Sequence, residues 1–310
     1  MPVSFAADVK NELCRKKMRS ACCQKAECYG MLLMGRTFQE SGISLTTESS
    51  AAAQRIAQMT AELTAAILST RTVLRRASHP ASVVSVDDER DRARILDFFG
   101  HTGREVTLRL NRANLENECC PASFLRGAFL TCGTVVNPTK DYRLEFVVPR
   151  MHLSRDLTAL LGELPVAVQP GVSQRKGAYV VYIKGADRVS DLLTLMGAPK
   201  AAMEVIQMKM LREMRNQVNR QTNFETANLG KTASAAARQI QALQRLLDMG
   251  LGLQALPENL RELARLRYEN PELSLRELGE KLTPPLSRSG VNHRLQRVTE
   301  LAEKLCRRAE

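Results

Sequence analysis

The sequence predicts an α+β domain made of two copies of one unit, followed by an all-α domain. Two observations carry this prediction. A segment of 16 residues recurs without gaps, and each copy is followed by the same order of strand-like and helix-like segments. The last third of the 310-residue chain contains segments with helical periodicity and no strand-like alternation.

The recurring segment is itself predicted to be a helix. The copies are CCQKAECYGMLLMGRT (22–37) and CCPASFLRGAFLTCGT (119–134), with five identical pairs. Gly30 and Gly127 occupy equivalent positions. Because glycine inside a helix costs about 1 kcal/mol relative to alanine, these two residues call for a packing reason. We expect the two helices to cross at the glycines and to join the halves as a pseudo-twofold pair.

The segments after each copy support the duplication. After the first copy, alternation of β-branched residues predicts strands in GISLTTES, RTVLRRAS and SVVSVDD, with helices at 51–68 and 89–99. After the second copy, strands are expected in YRLEFVV, VAVQP and GAYVVYIKG, with helices near 154–164 and 186–196. The first half is therefore placed at 1–110 and the second at 111–220.

A helical segment at 201–219 follows, in which Met203, Met208, Met210 and Met214 are expected to pack in the core. The polar stretch 221–230 is expected to be a linker, because it offers few apolar anchors. Residues 231–310 form the predicted all-α domain.

The end of this domain has the pattern of a helix-turn-helix. Ser274 and Glu277 predict a capping box at the start of a short helix, and Thr283–Pro284–Pro285 ends it. Ser287 then caps a longer helix that runs to Leu305. A short helix, a tight turn and a longer polar helix are typical of this motif.

Charge indicates an acidic partner for the longer helix. The chain carries a formal net charge of +12, and residues 281–308 carry +5 against −2 for residues 258–280. Arginine can pair with guanine, asparagine with adenine, and serine with phosphate. The candidate DNA-binding residues are Ser274, Arg276, Ser287, Arg288, Ser289, Gly290, Asn292, His293, Arg294 and Arg297.

Several motifs in order point to one family. They are SFAADVKNEL, CCQKAECYGMLLMGR, FLRGAFLTCGTV, NFETANLGKT and SLRELGEKLTPPLSRSGVNHRL. With them the chain resembles the WhiA family along nearly its whole length, and the two repeated helices resemble the LAGLIDADG helices of homing endonucleases. The resemblance implies a duplicated LAGLIDADG-like pseudo-dimer domain followed by a helix-turn-helix domain. It further implies a transcriptional regulator of sporulation, cell division and chromosome segregation that binds promoters.

The resemblance also bears on enzymatic activity. LAGLIDADG helices of endonucleases end in an acidic metal ligand, and aligning the glycines puts these positions at Gly35 and Cys132. Neither residue offers the hard oxygen ligand that Mg²⁺ prefers. We therefore expect no enzyme, no catalytic residue, no metal and no other cofactor. The alternative function is a non-transcriptional scaffold in division or segregation that binds protein partners through the LAGLIDADG-like domain.

Other partners follow from charge and from the resemblance. Double-stranded promoter DNA is the main expected partner. The WhiA family is associated in some lineages with a WhiB-type iron–sulfur regulator, so such a regulator or another protein is a further candidate. Basic residues on predicted strands could contact nucleic acid or simply be solvated. They are Arg71, Arg75, Arg76, Arg143 and Lys184.

Two further expectations concern the location of the protein in the cell and the state of its cysteines. No apolar stretch of membrane-spanning length and no secretory signal is visible, so a cytoplasmic, nucleoid-associated location is expected. The eight cysteines are expected to be thiols. The paired cysteines at 22–23 and 119–120 admit packing at a helix start, a metal site, or a redox pair between Cys22 and Cys119; packing is favoured, because adjacent cysteines in a helix point to different faces.

Overall fold

The computed structural model describes residues 4–18, 20–75 and 79–309. The chain divides into two compact units, Met1–Glu213 and Met214–Glu310. Arg76, which was considered as a nucleic-acid contact, lies outside the described residues.

The first half of unit 1 is a four-stranded antiparallel sheet covered by helices. Its elements are α1 (Phe5–Arg15), α2 (Ala21–Leu33), β1 (Thr37–Gln39), β2 (Gly42–Thr47), α3 (Ser50–Thr64), β3 (Ser69–Arg75), β4 (His79–Val86) and α4 (Glu89–Phe98). The strand order is β1-β2-β4-β3.

The second half repeats this arrangement. Its elements are α5 (Cys120–Cys132), β5 (Gly133–Val135), β6 (Arg143–Val148), α6 (Met151–Gly162), β7 (Gly171–Arg175), β8 (Ala178–Lys184) and α7 (Ala186–Met196). The strand order, β5-β6-β8-β7, matches that of the first half strand for strand. The predicted α+β duplication is confirmed.

Helices α2 and α5 cross in the centre of one continuous core. A Cβ atom on Gly30 would overlap the carbonyl oxygen of Phe124, and a Cβ atom on Gly127 would overlap that of Glu27. Because the obstacles are backbone atoms on the opposite helix, only glycine fits at either position. The predicted crossing at the glycines is confirmed.

A buried charge network lies at the same crossing. The carboxylate of Glu27 is fully buried and pairs with Arg55 at 2.6 Å and with Arg126 of the other half at 3.3 Å. Arg126 is buried as well, and its Nε donates to the carbonyl oxygen of Met196 at 2.7 Å. Burial lowers the pKa of Arg126, although Glu27 opposes that shift. The network therefore joins a buried carboxylate of the first half to a buried guanidinium of the second.

Two element boundaries differ from the expectations. Helix α3 ends at Thr64 rather than at residue 68, because Ala65 adopts a left-handed φ of 53° and its carbonyl accepts from Arg94 at 2.9 Å. The segment VAVQP at 166–170 is not a strand, and β7 begins only at Gly171. Pro170 has no amide hydrogen for a ladder, which moves the strand past it.

The segment expected as a linker, 221–230, is helical. It lies inside α8 (Pro199–Asp248), a single helix of 50 residues. Asparagine, threonine and glutamine only weakly disfavour a helix, and no proline interrupts this stretch. Core packing was also expected for the methionines of α8 and is wrong for three of them, because Met203, Met210 and Met214 are exposed.

Unit 2 contains the remaining helices, α9 (Glu258–Glu269), α10 (Leu275–Glu280) and α11 (Arg288–Ala309). One apolar cluster joins the end of α8 to α9 and to the second half of α11. A second cluster, with Leu278 and Val291 at its centre, packs α10 against the start of α11. Among the helices in the described ranges, none is both long and apolar enough to cross a membrane.

Candidate nucleic-acid interface

The entry to α10 is fixed by the predicted capping box. Ser274 Oγ accepts a hydrogen bond from the Glu277 backbone N–H at 3.3 Å, and the Ser274 N–H donates to Glu277 Oε2 at 2.8 Å. The hydrogen bonds from Ser274 lower the pKa of Glu277. Ser274 and its neighbour Arg276 are exposed at this end of the helix.

The turn between α10 and α11 is held by close backbone approach. The Leu286 N–H donates to the carbonyl oxygen of Gly279 at 3.0 Å, and a Cβ atom on Gly279 would overlap the Leu286 carbonyl. Val291 packs beside it and is fully buried. Any larger residue at 279 would therefore push the two helices of the motif apart.

The sequence interpretation missed a buried arginine that holds the turn between α9 and α10. Arg267 is 2% exposed, and its Nη1 donates to the carbonyl oxygens of Pro271 and Leu273 at 3.3 and 2.8 Å. Burial lowers its pKa, opposed by the charge of Glu272. Nothing in the local pattern distinguishes this arginine from the exposed ones, except that its neighbours Leu263 and Ala264 lie on the same apolar face of α9.

Helix α11 has a buried face and an opposite, exposed face. Val291, Leu295 and Val298 are buried and face the domain core. At 100° per residue, the side chains directed away from them belong to Ser289, Asn292, His293, Gln296 and Arg297, and all five are exposed.

The predicted residues on α11 do not all share this face. Arg288 is exposed at its edge, Gly290 is half-buried, and Arg294 is half-buried on the flank beside the core. The sequence interpretation omitted Gln296, although helical periodicity places it between His293 and Arg297.

The cations at the start of α11 lack acidic partners. Within the part of the chain that the structure describes, no carboxylate pairs with Arg288, Arg294 or Arg297. By contrast, Arg276 pairs with Glu280 at 3.0 Å and Arg307 with Glu303 at 3.9 Å. The first three turns of α11 thus carry three arginines whose charge no described carboxylate offsets.

The N-terminus of α11 adds donors to this charge. Ser287 Oγ accepts from the N–H of Gly290 at 3.2 Å, which confirms its predicted capping role. The Ser287 carbonyl accepts from Val291 at 2.9 Å. The N–H groups of Arg288 and Ser289 precede the first intrahelical bond and are the groups that a phosphate oxygen would meet.

In unit 1, the positions that the resemblance assigns to metal ligands cannot serve as such. Gly35 has no side chain, and the thiol of Cys132 is desolvated, which raises its pKa to about 12. Both line one cleft together with Lys10 and Arg36. Burial lowers the pKa of Lys10, although the nearby Cys132 and Glu48 oppose that shift.

The strand cations of unit 1 are partly engaged. Arg143 pairs with Glu145 at 2.6 Å and lies over the ring of Tyr182, as does Lys184. Arg71 is exposed on β3, 3.9 Å from the carboxylate of Asp87. Arg75 occupies the last position of β3.

Comparison with known proteins agrees with this architecture. Residues 121–215 match the family model of the WhiA LAGLIDADG-like domain, and residues 218–302 match that of the WhiA C-terminal HTH domain. "Probable cell division protein WhiA" of Alkaliphilus metalliredigens is 36% identical over 97% of this chain and 98% of its own length. The protein of the same name from Alkaliphilus oremlandii is 38% identical over 98% of both chains.

A solved structure gives the same result. The crystal structure of full-length WhiA from Thermotoga maritima superposes with a TM-score of 0.60 at 26% identity, covering 97% of this chain and 99% of that one. With two family models, full-length relatives and a full-length structural match in agreement, the chain belongs to the WhiA family.

Proposed function

We propose that this protein is a sequence-specific DNA-binding regulator of transcription that binds promoters through α11. The observation that carries the proposal is the exposed face of α11, whose neighbouring cations lack acidic partners in the described ranges. Relatives named for cell division extend the proposal to that process. Sporulation and chromosome segregation, which the resemblance implied, belong to it as well. A regulator of this kind is expected at the nucleoid.

The proposed contacts with DNA are of two kinds, to base edges and to phosphates. Asn292, His293, Gln296 and Arg297 lie on the outward face and are the candidates for base edges in the major groove. Ser274, Ser287 and Ser289, with the free N–H groups at the start of α11, are the candidates for phosphate. Arg294 is half-buried on the flank, so we assign it to phosphate at the groove wall rather than to a base.

We further propose that unit 1 is a catalytically inactive scaffold. Metal-assisted cleavage of a phosphodiester needs oxygen ligands that activate water and stabilise the leaving group, and Gly35 and Cys132 supply none. Incubation with supercoiled plasmid and Mg²⁺ or Mn²⁺ is expected to leave the DNA intact, and linear product formed in proportion to protein would refute this part.

The test of DNA recognition is retention of fragmented genomic DNA by the purified full chain, followed by sequencing. The expected result is a short shared motif upstream of genes. Replacing Arg297 by alanine should weaken binding to that motif by about 1–3 kcal/mol while changing binding to random DNA much less.

The matched control is Arg307→Ala, on the same helix but paired with Glu303. Because Glu303 already offsets this charge, the change should affect binding to the motif and to random DNA equally, and much less than Arg297→Ala affects binding to the motif. If both variants lose cognate and random binding equally, α11 does not recognise sequence.

A second candidate function is a protein-binding scaffold, and one observation favours it. Met203, Met210 and Leu211 are exposed on α8 within unit 1 and, at 100° per residue, lie on one side of that helix. Replacing Met203 and Met210 by glutamine distinguishes the two functions. The variant is expressed in cells that lack the protein. If it no longer restores normal division but still retains DNA, the scaffold function is supported; if it restores division fully, the scaffold function is refuted.

A further inference from the structure

Three thiols converge where the N-terminal ends of α2 and α5 meet. The sulfur atoms of Cys22, Cys119 and Cys120 all lie within 4.8 Å of one another. The distance between Cys22 Sγ and Cys119 Sγ is 3.8 Å. One of these thiols belongs to the first copy of the repeat and two belong to the second, so the cluster bridges the two halves of unit 1.

The thiols converge although adjacent cysteines in a helix were expected to point to different faces. Side chains of neighbouring helical residues diverge by only about 100° around the axis. The thiols of Cys119 and Cys120, at the very start of α5, therefore both reach Cys22, which approaches from α2. The sequence shows the adjacency of each pair but not the meeting of the two helix ends.

A fourth thiol lies beside the three. The Cys23 Sγ atom is 3.7 Å from the carbonyl oxygen of Cys119. Cys120 is buried, Cys22 and Cys23 are half-buried, and Cys119 is exposed. The cluster thus has a protected side and a side open to solvent, through which an ion can enter.

The sulfur spacing fits a tetrahedral metal better than a disulfide. Zinc–thiolate bonds of about 2.3 Å in a tetrahedron place two sulfurs about 3.8 Å apart, which is the distance between Cys22 and Cys119. A disulfide needs about 2.05 Å. Two sulfurs at the first distance can accept an ion between them with little movement, whereas a disulfide requires the two sulfurs to approach each other by about 1.8 Å.

We propose that Cys22, Cys119 and Cys120 bind one zinc ion, which links the start of α2 to the start of α5, and that Cys23 completes the set when its thiol turns from the Cys119 carbonyl oxygen toward the ion. Thiolates are soft ligands that select zinc over Mg²⁺, and four of them form a closed, structural coordination sphere. The site lies at the opposite end of the two helices from Gly35 and Cys132. It is distinct from the catalytic metal positions of LAGLIDADG endonucleases, and it does not depend on the proposed DNA function.

The test is titration of the full chain, reduced and freed of metal under anaerobic conditions, with Zn²⁺ in competition with a chromophoric chelator. One equivalent of Zn²⁺ should bind per chain. Co²⁺ in its place should give the near-ultraviolet charge-transfer band of cobalt–thiolate bonds. Binding should release protons, because each thiol is deprotonated as it coordinates.

Variants locate the site. Cys22→Ser and Cys119→Ser should each weaken Zn²⁺ binding by about 100-fold or more, because each removes one of four first-sphere ligands. Cys14→Ser is the matched control, since Cys14 is a half-buried thiol of unit 1 outside the cluster, and it should bind Zn²⁺ like the parent protein. Circular dichroism of each metal-free variant checks that the fold is retained.

Three outcomes would overturn the proposal. One is the absence of stoichiometric Zn²⁺ binding to the reduced protein. Another is unchanged binding in the Cys22→Ser/Cys119→Ser double variant, which would place the ligands elsewhere. The third is a Cys22–Cys119 disulfide, found by peptide mass spectrometry after mild oxidation, in a protein whose reduced form does not bind Zn²⁺. That result would make the cluster a redox pair.

Discussion

The crossing of α2 and α5 makes a sharp prediction for Gly127→Ala. A methyl group at this position would enter the space of the Glu27 carbonyl oxygen and would lie close to the Met31 backbone nitrogen on the opposite helix. Both obstacles are backbone atoms, so no side-chain rotation can relieve the overlap. The two helices must separate, although most of the side chains between them are buried in the central core.

The magnitude follows from two opposing effects. Overpacking of a well-packed core costs about 1–3 kcal/mol, and a backbone clash belongs at the upper end of that range. Alanine in place of a helical glycine returns about 0.5–1 kcal/mol through lower backbone entropy. The free energy of unfolding of unit 1 should therefore fall by about 2 kcal/mol.

The assay is urea denaturation followed by tyrosine emission. The chain has no tryptophan, and four of its five tyrosines lie within residues 1–213, so this signal reports mainly on unit 1. Gly162→Ala is the matched control, because Gly162 ends a helix of the same unit and a Cβ atom there meets nothing within 4 Å. It should leave stability unchanged or raise it slightly.

Equal stability of the two alanine variants would refute the reasoning, because it would mean that the helices do not approach as closely as the structure places them. Gly30→Ala provides an independent check from the other side of the pseudo-twofold, where the obstacle is the Phe124 carbonyl. It should destabilise unit 1 by a similar amount.

Three further predictions concern buried polar groups. Glu27→Gln leaves the charges of Arg55 and Arg126 without a counter-ion and should lower the stability of unit 1 by about 3 kcal/mol in the same denaturation assay; a loss below 1 kcal/mol would contradict it. Burial lowers the pKa of His101 below its ordinary 6.5, so the unfolded chain takes up the proton first and stability should fall as pH drops through 6.5; a His101→Gln variant with an identical pH profile would exclude this cause. Arg267→Ala removes the donor to two carbonyl groups and should lower the stability of unit 2 by roughly 2–4 kcal/mol, seen as faster hydrogen exchange across 258–309, whereas unchanged exchange would show that the turn holds without it.

Local signals in the sequence sufficed for the elements that depend on local chemistry. The capping box of Ser274, the cap at Ser287 and the breaks around the helices all act within a few residues, and the structure has them as expected. The crossing at Gly30 and Gly127 was also predictable, because duplication makes one long-range contact visible as a repeat. The duplicated fold and most of the candidate DNA interface could therefore be predicted from the sequence.

Features that depend on partners distant in sequence were not predictable. Arg126 and Arg267 look like surface arginines until the structure supplies a buried carboxylate for one and two carbonyl groups for the other. The methionines of α8 have helical spacing, but spacing alone does not distinguish a face that packs from one that remains exposed. The polar stretch at 221–230 continues the helix because weak propensities do not end a helix without a competing turn.

The degenerate site of unit 1 shows that losing a ligand also changes the space and charge around it. A Cβ atom on Gly35 would lie 2.8 Å from the Ser44 carbonyl oxygen and 2.9 Å from that of Leu32, so an aspartate there would require β2 to move. Lys10 lines the same cleft as Cys132, so a basic side chain lies beside the second ligand position. A positive charge there opposes the binding of a divalent cation. Space and charge, as well as the missing carboxylates, therefore support the proposal that unit 1 does not cleave DNA, and we expect a Gly35→Asp/Cys132→Asp variant to leave supercoiled plasmid intact with Mg²⁺; linear product would contradict this argument.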